Sequence, residues 1–333
     1  MTPLDDYRVI REGAALGELM ARGRIAVSGG DRAAFLQGLL TNDIQALTPG
    51  SGCYAAWLTP QGRMTTDMHV LEAGHMILLD LPAAQVESVL ERLNQFVFTE
   101  DVQLGNLTET LKGVAVHGPA AAAAIERGLN EHLRPAEWPD YHHVRSSYGG
   151  ESVVIARIDQ LGVPGFVLYV GSERADVLRD TLIASGARPV DAEMINAARI
   201  EAGYPLFGLD MDDDIIPLEA GIESRAISFS KGCYVGQEVV IRVLHRGHGR
   251  VLRKLVGLRF DSNRAIPRGT RLQAGGRDVG FITSSAVSPA IGTIALGYVH
   301  RDFVAPGSRV STSVDGIDAA ATVNALPFAS AVE

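Results

Sequence analysis

Cysteine and lysine are scarce in this sequence, and long apolar runs are missing. Only Cys53 and Cys233 occur in 333 residues, which excludes a disulfide framework and predicts a reducing compartment. No apolar stretch approaches the roughly 20 residues of a membrane-spanning helix, and the first residues do not resemble a signal peptide. The net charge of −9 argues against a general binder of nucleic acid or of anionic membranes. We therefore expect a cytoplasmic protein that binds neither directly.

The length and the residue pattern predict a folded protein of more than one domain. With 46% apolar and 21% charged residues, the composition is that of a globular protein, and 333 residues exceed one ordinary core. Strands and helices alternate without the rhythm of a parallel sheet, which predicts α+β lobes. After about Arg250, short alternating segments between Gly and Pro predict a small antiparallel β-barrel. The predicted division is a lobe at 1–110, a second lobe at 111–249 and a barrel at 250–333.

Several elements can be placed from local patterns. Asp31 is predicted to be the N-cap of an amphipathic helix with the sequence AFLQGLL. Apolar segments at 54–58, 64–71 and 76–81, separated by glycine-containing turns, predict a β-meander. The apolar residues of 83–94 recur at helical spacing, so a helix should follow the meander.

The signals for metal or nucleotide binding are weak. His245 and His248 have a spacing that metal ligands use, but the arginines around them favour a basic surface turn. Asp210 and the acids at 212–214 lack the glycine and the terminal glutamate of a calcium loop, which favours a solvated loop. No GxGxxG, Walker or GxSxG motif occurs. We therefore predict no metal site.

The octapeptide KGCYVGQE is unlike ordinary core or surface sequence. Cys233 follows a glycine, and Lys231, two residues earlier, offers a cation that favours the thiolate. The next residues leave two structures open, because Gly236 can begin a helix while the β-branched residues of 239–243 favour a strand. Cys53 begins an apolar strand and is expected to be buried and unreactive. Cys233, assisted by Lys231, is thus the candidate reactive centre.

KGCYVGQE, with IPLEAGIESRAISFS before it, resembles the signature of YgfZ-type folate-binding proteins, which are relatives of the glycine-cleavage T-protein, an aminomethyltransferase. The resemblance covers nearly the whole chain, since FLQGLLTNDIQAL, YAAWLTPQGRM, LKGVAVHGPAA and ARIEAGYPLFGLDMDDDIIP are similar to successive motifs of that superfamily. It implies an α+β fold: two ferredoxin-like or T-protein-like lobes and a C-terminal antiparallel barrel around a central folate channel. The implied cofactor is tetrahydrofolate or a derivative.

The same resemblance assigns folate-binding residues. Glu201 stands where the family's pterin-binding carboxylate stands, and a carboxylate can accept paired N–H bonds from a 2-amino-4-oxopterin. The alternative is a glutamate on an exposed helical turn. Arg199 matches the same motif with a less defined role. Tyr54 falls on a strand that borders the pocket in relatives, where it either stacks on a ring or packs in the core.

One departure from the aminomethyltransferase pattern concerns an acidic pair. Those enzymes carry two acids on the strand after the glycine turn, and the first of them is catalytic. In TPQGRMTTDMHV that position is Thr66, and only Asp67 is retained. Because threonine does not ionise near neutral pH, aminomethyl transfer is not expected from this alignment.

The resemblance therefore predicts an accessory factor that binds tetrahydrofolate and supports the assembly or repair of iron–sulfur clusters, including those of tRNA-modifying enzymes. It would act through Cys233, and its partners would be iron–sulfur client or assembly proteins. Because clusters usually need four thiolates, any cluster here would be transient or shared. The alternative function is a folate-dependent aminomethyl or one-carbon transferase, which an acid at position 66 would have favoured. An adaptor with a relic pocket is a third possibility.

Overall fold

The structure is a computed structural model that describes residues 2–245, 250–314 and 316–328. The helices in these residues are α1 (Pro3–Glu12), α2 (Arg32–Leu39), α3 (Val86–Asn94), α4 (Ala121–Leu129), α5 (Ala175–Ala184), α6 (Ala192–Glu201), α7 (Pro217–Ala220), α8 (Glu223–Ala226) and α9 (Gln237–His245). The strands are β1 (Ala15–Leu16), β2 (Arg22–Ser28), β3 (Gly52–Leu58), β4 (Met64–Glu72), β5 (Met76–Pro82), β6 (Gln103–Asn106), β7 (Leu111–His117), β8 (His143–Tyr148), β9 (Glu151–Arg157), β10 (Gly165–Gly171), β11 (Arg188–Pro189), β12 (Arg253–Phe260), β13 (Arg271–Ala274), β14 (Arg277–Ser288), β15 (Gly292–His300), β16 (Arg309–Val314) and β17 (Ile317–Asn324).

The first sheet has the strand order β3-β4-β5-β2-β6, and its neighbouring strands are antiparallel. One face carries a core that includes Leu36, Trp57, Met68 and Val89, so α2 and α3 cover this face. Successive side chains of a strand point to opposite faces. The alternate residues of β4 therefore point to the other face, where Leu71 packs with residues of the second sheet.

The second sheet has the order β11-β1-β7-β10-β9-β8, and its core is shared with α4 and α5. Strand β1 pairs with β7, although it lies close to the N-terminal end of the chain. Strand β1 thus lies in the predicted first lobe by sequence but belongs to the second sheet. The division into domains at 110 and 249 otherwise stays a prediction.

The third unit is a closed antiparallel barrel with the strand order β12-β15-β14-β13-β16-β17. Its interior contains Leu258, Ile282, Ala295 and Val299, which are fully buried. The prediction of an α+β fold with a small C-terminal barrel is confirmed. Among the described residues, none of the helices is long and apolar enough to cross a membrane.

The two lobes and the barrel meet around α1, α6, α7 and α8. A single core joins them, with Ile10 from α1, Ile195 from α6, Leu218 from α7 and Ile294 from the barrel. Helix α6 contacts both α1 and the barrel strands β14 and β15. The residues that follow α6 are thereby held at the centre of the molecule.

The local predictions are mostly confirmed, and two details differ. The meander of β3, β4 and β5 and the helix α3 occur where the pattern placed them. Asp31 precedes α2, but its side chain does not cap the helix; Asp31 Oδ2 instead accepts a hydrogen bond from the Asp101 amide at 2.8 Å. Residues 237–245, which the sequence left open between helix and strand, form α9. There Val240, Val243 and Leu244 pack on the central core as one helical face.

Candidate functional site

Tyr54 on β3 and Asp67 and His69 on β4 form a buried polar cluster between the lobes. Tyr54 pairs with His69 across the strands, and Asp67 lies two residues away on the same face. The Tyr54 hydroxyl donates a hydrogen bond to Asp67 Oδ2 at 2.6 Å. The second oxygen, Asp67 Oδ1, is buried and has no hydrogen-bond partner among the described residues. Asp67 Oδ1 is thus a buried oxygen whose hydrogen-bonding capacity is not used by the described residues.

Burial controls the ionisation of this cluster. It raises the pKa of Asp67, although the Arg22 guanidinium and the Tyr54 hydrogen bond act in the opposite direction. It lowers the pKa of His69 to about 3, and Arg22 acts in the same sense. His69 is therefore neutral at neutral pH, while the Asp67 carboxyl keeps its proton to a higher pH than an exposed aspartate does.

Arg225 connects the cluster to the loop after α6. Its guanidinium carbon lies 5.2 Å from the ring centroid of Tyr54 and 3.9 Å from that of Tyr204, which is within the range of cation–π contacts. Arg225 also lines a cavity of about 520 Å³, together with Lys254 and residues 202–203. Cavities of this size hold small organic ligands. The cluster and the cavity therefore share one cationic side chain.

Thr66, the residue aligned with the catalytic acid, points away from this cluster. It pairs with Trp57, is fully buried, and shares the strand face of Met68 in the core of the first lobe. Its hydroxyl donates a hydrogen bond to the backbone carbonyl of Asp67 at 3.2 Å. Asp67, and not Thr66, therefore places a carboxyl group on the face between the lobes. The expectation that threonine at position 66 disfavours aminomethyl transfer stays a prediction.

Glu201 lies at the end of α6 and is only 7% exposed, so it is not on an exposed turn. Its Oε2 accepts a hydrogen bond from the Tyr7 hydroxyl at 2.9 Å and forms an ion pair with Arg11. Its Oε1 is buried without a hydrogen-bond partner in the part of the chain that the structure describes. An ionised carboxylate only accepts hydrogen bonds. Glu201 thus offers one free acceptor to a ligand, and its role in pterin binding stays a prediction.

Arg199 is fully buried in an ion pair with Asp210, with 2.6 Å between Nη1 and Oδ2. Asp210 also accepts hydrogen bonds from the hydroxyls of Thr283 at 2.6 Å and Ser284 at 2.5 Å on β14. Arg199 therefore joins α6 to the barrel through Asp210, and its role in folate binding stays a prediction. The predicted solvated loop is wrong at Asp210, because this residue is buried, whereas residues 212–214 are exposed.

The KGCYVGQE segment contacts the first lobe, although the predicted division assigned it to the second. Lys231 Nζ donates hydrogen bonds to the carbonyl oxygens of Gln37, Leu40 and Asn42, each at 2.7 Å. The ammonium group therefore caps the C-terminal end of α2. Burial lowers the pKa of Lys231 to about 8. Since these three contacts use all its donors, the predicted assistance of Cys233 by Lys231 has no support from the geometry.

Other residues of the octapeptide also have structural roles. Tyr234 is buried, and Gly236 has a φ of +85° that L side chains rarely adopt. A Cβ at Gly236 would lie 2.6 Å from the Thr59 carbonyl oxygen, so another residue would not fit. Cys233, by contrast, is exposed. Packing therefore explains Lys231, Tyr234 and Gly236, and it does not explain the cysteine.

Several residues of this central region were missed by the sequence analysis. The alternation of TTDMHV could have placed Asp67 and His69 on one face, opposite Thr66 and Met68. Tyr7 and Arg11 are four residues apart on α1, so they are neighbours on one face of the helix. Their common partner Glu201 is about 190 residues away, which no local pattern reveals.

In residues 2–245, 250–314 and 316–328, no group of three or more His, Cys, Asp or Glu side chains could hold a metal ion. The side chain of His245 and the whole of His248 lie outside the described residues. The expectation of no metal site stays a prediction.

Comparison with known proteins gives the family. The GCVT N-terminal domain matches residues 3–231, and the glycine cleavage T-protein C-terminal barrel domain matches residues 253–329. An aminomethyltransferase of Geobacillus kaustophilus (strain HTA426) is 31% identical, covering 97% of this chain and 89% of its own length. An aminomethyltransferase of Saccharopolyspora erythraea is 30% identical with the same coverage. The crystal structure of the glycine cleavage system aminomethyltransferase T from Bartonella henselae superposes with a TM-score of 0.87 at 24% identity, over 98% of this chain and 89% of that one.

Two α+β lobes, a closed barrel and a buried polar cluster between the lobes define a T-protein-like protein. The matches to both domains and across nearly the whole chain show that it belongs to the glycine cleavage T-protein, or aminomethyltransferase, family. Within that family, membership of the YgfZ type stays a prediction. Most of KGCYVGQE falls after the first matched segment, which ends at Lys231, and before the second, which begins at Arg253.

Proposed function

We propose that this chain binds a reduced folate, tetrahydrofolate or a derivative of it, where the lobes meet the barrel. The supporting observation is a pair of buried carboxylates with the same arrangement. Glu201 and Asp67 each accept a hydrogen bond from a tyrosine through one oxygen, and each has a second, buried oxygen without a partner among the described residues. A reduced pterin carries several N–H donors, and each of these oxygens is an acceptor that such a donor could bind.

The remaining surroundings also fit a folate. Tyr54 and Tyr204 supply aromatic rings beside the guanidinium of Arg225. Arg225 and Lys254 line the cavity of about 520 Å³, and cations there complement the carboxylates of the glutamate moiety of folate. Burying a carboxyl oxygen without a hydrogen bond is costly, so a ligand with a matching donor would relieve this cost at Asp67 Oδ1 and Glu201 Oε1.

We further propose that the chain catalyses folate-dependent one-carbon transfer. The transferred unit would be the aminomethyl group, as the relatives named aminomethyltransferase suggest. Tetrahydrofolate, when bound, supplies the nitrogen that accepts the one-carbon unit. Asp67 would hold or move a proton at that nitrogen, because burial brings its pKa closer to neutral pH and general acid–base catalysis is most efficient there. Tyr54 fixes the orientation of Asp67 through its hydroxyl.

The transfer proposal is tested with an aminomethyl-loaded lipoyl carrier protein as donor. We expect methylenetetrahydrofolate, ammonia and the dihydrolipoyl form of the carrier to appear together only when both the chain and tetrahydrofolate are present. The measurement is the rate of ammonia release under anaerobic conditions, with a carrier that lacks the aminomethyl group as control. A chain that binds tetrahydrofolate without any turnover contradicts the transferase proposal and leaves the folate-binding proposal in place.

A second candidate is an accessory factor for iron–sulfur proteins that acts through Cys233. The observation that favours it is the exposed thiol of Cys233. Lys231 and Gly236 in the same segment have packing roles, whereas packing does not explain the cysteine. The resemblance to YgfZ-type proteins supplies the partner class, namely iron–sulfur client or assembly proteins. With one exposed cysteine, the chain would share a cluster or a sulfur species with a partner and would not hold four-thiolate ligation alone.

We predict that Cys233 is alkylated at least about a hundred times faster than Cys53 in the native protein. Burial raises the pKa of Cys53 to about 12, so only about one in 10⁴ of these thiols is ionised at pH 8, and the thiolate is the reactive form. Iodoacetamide labelling, followed by peptide mass spectrometry, measures both rates.

Cys53→Ser provides the matched control, since it should leave the labelling of Cys233 unchanged. The second candidate also predicts that Cys233→Ser, unlike Cys53→Ser, fails to restore iron–sulfur enzyme activity in cells that lack this chain. Faster labelling of Cys53, or full rescue by Cys233→Ser, contradicts a functional Cys233.

A further inference from the structure

Helix α1 is fixed against both ends of α6. Ile10 is fully buried in the central core, and Asp6 Oδ2 accepts a hydrogen bond at 2.9 Å from the amide of Asp191, the residue before α6. The other end of α6 carries Glu201, whose backbone carbonyl accepts a hydrogen bond from the Phe328 amide at 2.8 Å. Both ends of α6 are therefore held by contacts outside the helix, one of them from α1.

Two side chains of α1 contact this carboxylate on the same oxygen. Tyr7 donates to Oε2 at 2.9 Å, and Arg11 Nη2 binds Oε2 as well. Arg11 is itself fixed, because its Nη1 donates to the Leu161 carbonyl at 2.9 Å and its guanidinium carbon lies 5.2 Å from the Tyr7 ring centroid. Tyr7, Arg11 and Leu161 thus link α1 and the second lobe to one oxygen of Glu201.

We infer that Tyr7 and Arg11 are positioning residues, which orient Glu201 through Oε2 so that Oε1 alone accepts an N–H bond from the ligand. The inference rests on the proposed folate-binding function and deepens it. Rotation of the Glu201 side chain would break the hydrogen bonds that Tyr7 and Arg11 donate to Oε2. Two donors on Oε2 favour one arrangement, and Oε1 stays buried without a partner among the described residues.

This arrangement defines the chemical class of ligand group at Glu201. An ionised carboxylate oxygen accepts and does not donate, so the group that faces Oε1 must carry an N–H donor, as the 2-amino group and the ring N–H of a pterin do. A site built for a hydrogen-bond donor rejects ligands without one, because a buried acceptor would lose its partner. Tyr7 and Arg11 would therefore contribute to affinity without touching the ligand.

Anaerobic calorimetric titration with tetrahydrofolate tests the inference. We expect Tyr7→Phe and Arg11→Met each to weaken binding about ten-fold, the usual size of a lost hydrogen bond to a charged group. Arg11→Lys should recover part of the loss. Arg8→Met is the matched control, because Arg8 is exposed on the same helix. This variant should bind tetrahydrofolate with the affinity of the wild type.

A double-mutant cycle separates positioning from a general structural effect. In a Glu201→Gln background, Tyr7→Phe should change the affinity by less than about two-fold, since the carboxylate that Tyr7 orients has been removed. Wild-type affinity in Tyr7→Phe and Arg11→Met, or a full ten-fold loss from Tyr7→Phe in the Glu201→Gln background, overturns the inference alone. A wild-type protein that does not bind tetrahydrofolate overturns the proposed function as well.

Discussion

Asp67→Asn should reduce the rate of folate-dependent transfer by about 10²–10⁴-fold, the usual contribution of a general acid–base group. Asparagine keeps the shape of the side chain and can still accept the hydrogen bond that Tyr54 donates to Asp67 at 2.6 Å. It cannot exchange a proton with the folate nitrogen. The kcat of ammonia release from an aminomethyl-loaded carrier measures this effect, and tetrahydrofolate affinity should change much less than kcat.

Two controls show whether this loss is catalytic. Thr66→Val removes the hydroxyl on the opposite face of β4, and it should leave the rate within about three-fold of the wild type because Thr66 does not face the cluster. Loss of activity in Thr66→Val together with full activity in Asp67→Asn would contradict the assignment and return the catalytic position to residue 66.

Stability gives the other control, and its pH dependence has a definite sign. Burial raises the pKa of Asp67 in the folded protein, so the ionised form costs stability at any pH above the pKa of the unfolded chain. Asp67→Asn removes this cost and should not lower the midpoint of thermal unfolding at pH 7. The difference between the two proteins should shrink as the pH falls below the unfolded pKa, where both side chains are neutral.

Arg199→Met should lower the free energy of unfolding by about 3–5 kcal/mol, because it leaves the buried charge of Asp210 without its partner. Both side chains are fully buried, with 2.6 Å between Nη1 and Oδ2. The hydroxyls of Thr283 and Ser284 still contact Asp210, but hydrogen bonds alone do not neutralise a buried carboxylate. Urea unfolding, monitored by circular dichroism, measures the loss.

The matched control is an exposed ion pair whose acidic residue lies four residues after Asp210. Arg63 pairs with Asp214 at 2.8 Å, and both side chains are exposed. Arg63→Met should therefore cost no more than about 1 kcal/mol. Equal losses in the two variants would mean that the Arg199 pair does not hold α6 to the barrel as the contacts indicate.

The sequence predicted the elements well because they depend on local patterns. The meander of β3, β4 and β5, the helix α3 and the C-terminal barrel all follow from periodicity and turn residues, and all are found. The folate candidate Glu201 came from a resemblance, and its burial at the junction agrees with a binding role. Local sequence patterns determine the type of secondary-structure element and which of its faces is buried.

The contacts of the site could not be predicted, because they join residues far apart in the chain. Lys231 seemed to act on Cys233 two residues away, yet its ammonium group binds carbonyls at the end of α2, 189 to 194 residues earlier. The sequence predicted a ligand contact for Arg199, but it did not reveal the buried ion pair with Asp210. In both cases the charge finds a partner in the tertiary structure, which sequence proximity does not indicate.

Calorimetric titration of the purified chain with tetrahydrofolate, under anaerobic conditions, tests the central claim most directly. We predict one-site binding by the wild type and an affinity about ten-fold or more weaker in Glu201→Gln. This substitution keeps the shape of the side chain and removes its charge. Glu193→Gln, at the exposed start of the same helix, should bind like the wild type. No binding by the wild type, or equal affinity in Glu201→Gln, would contradict a folate site built on Glu201.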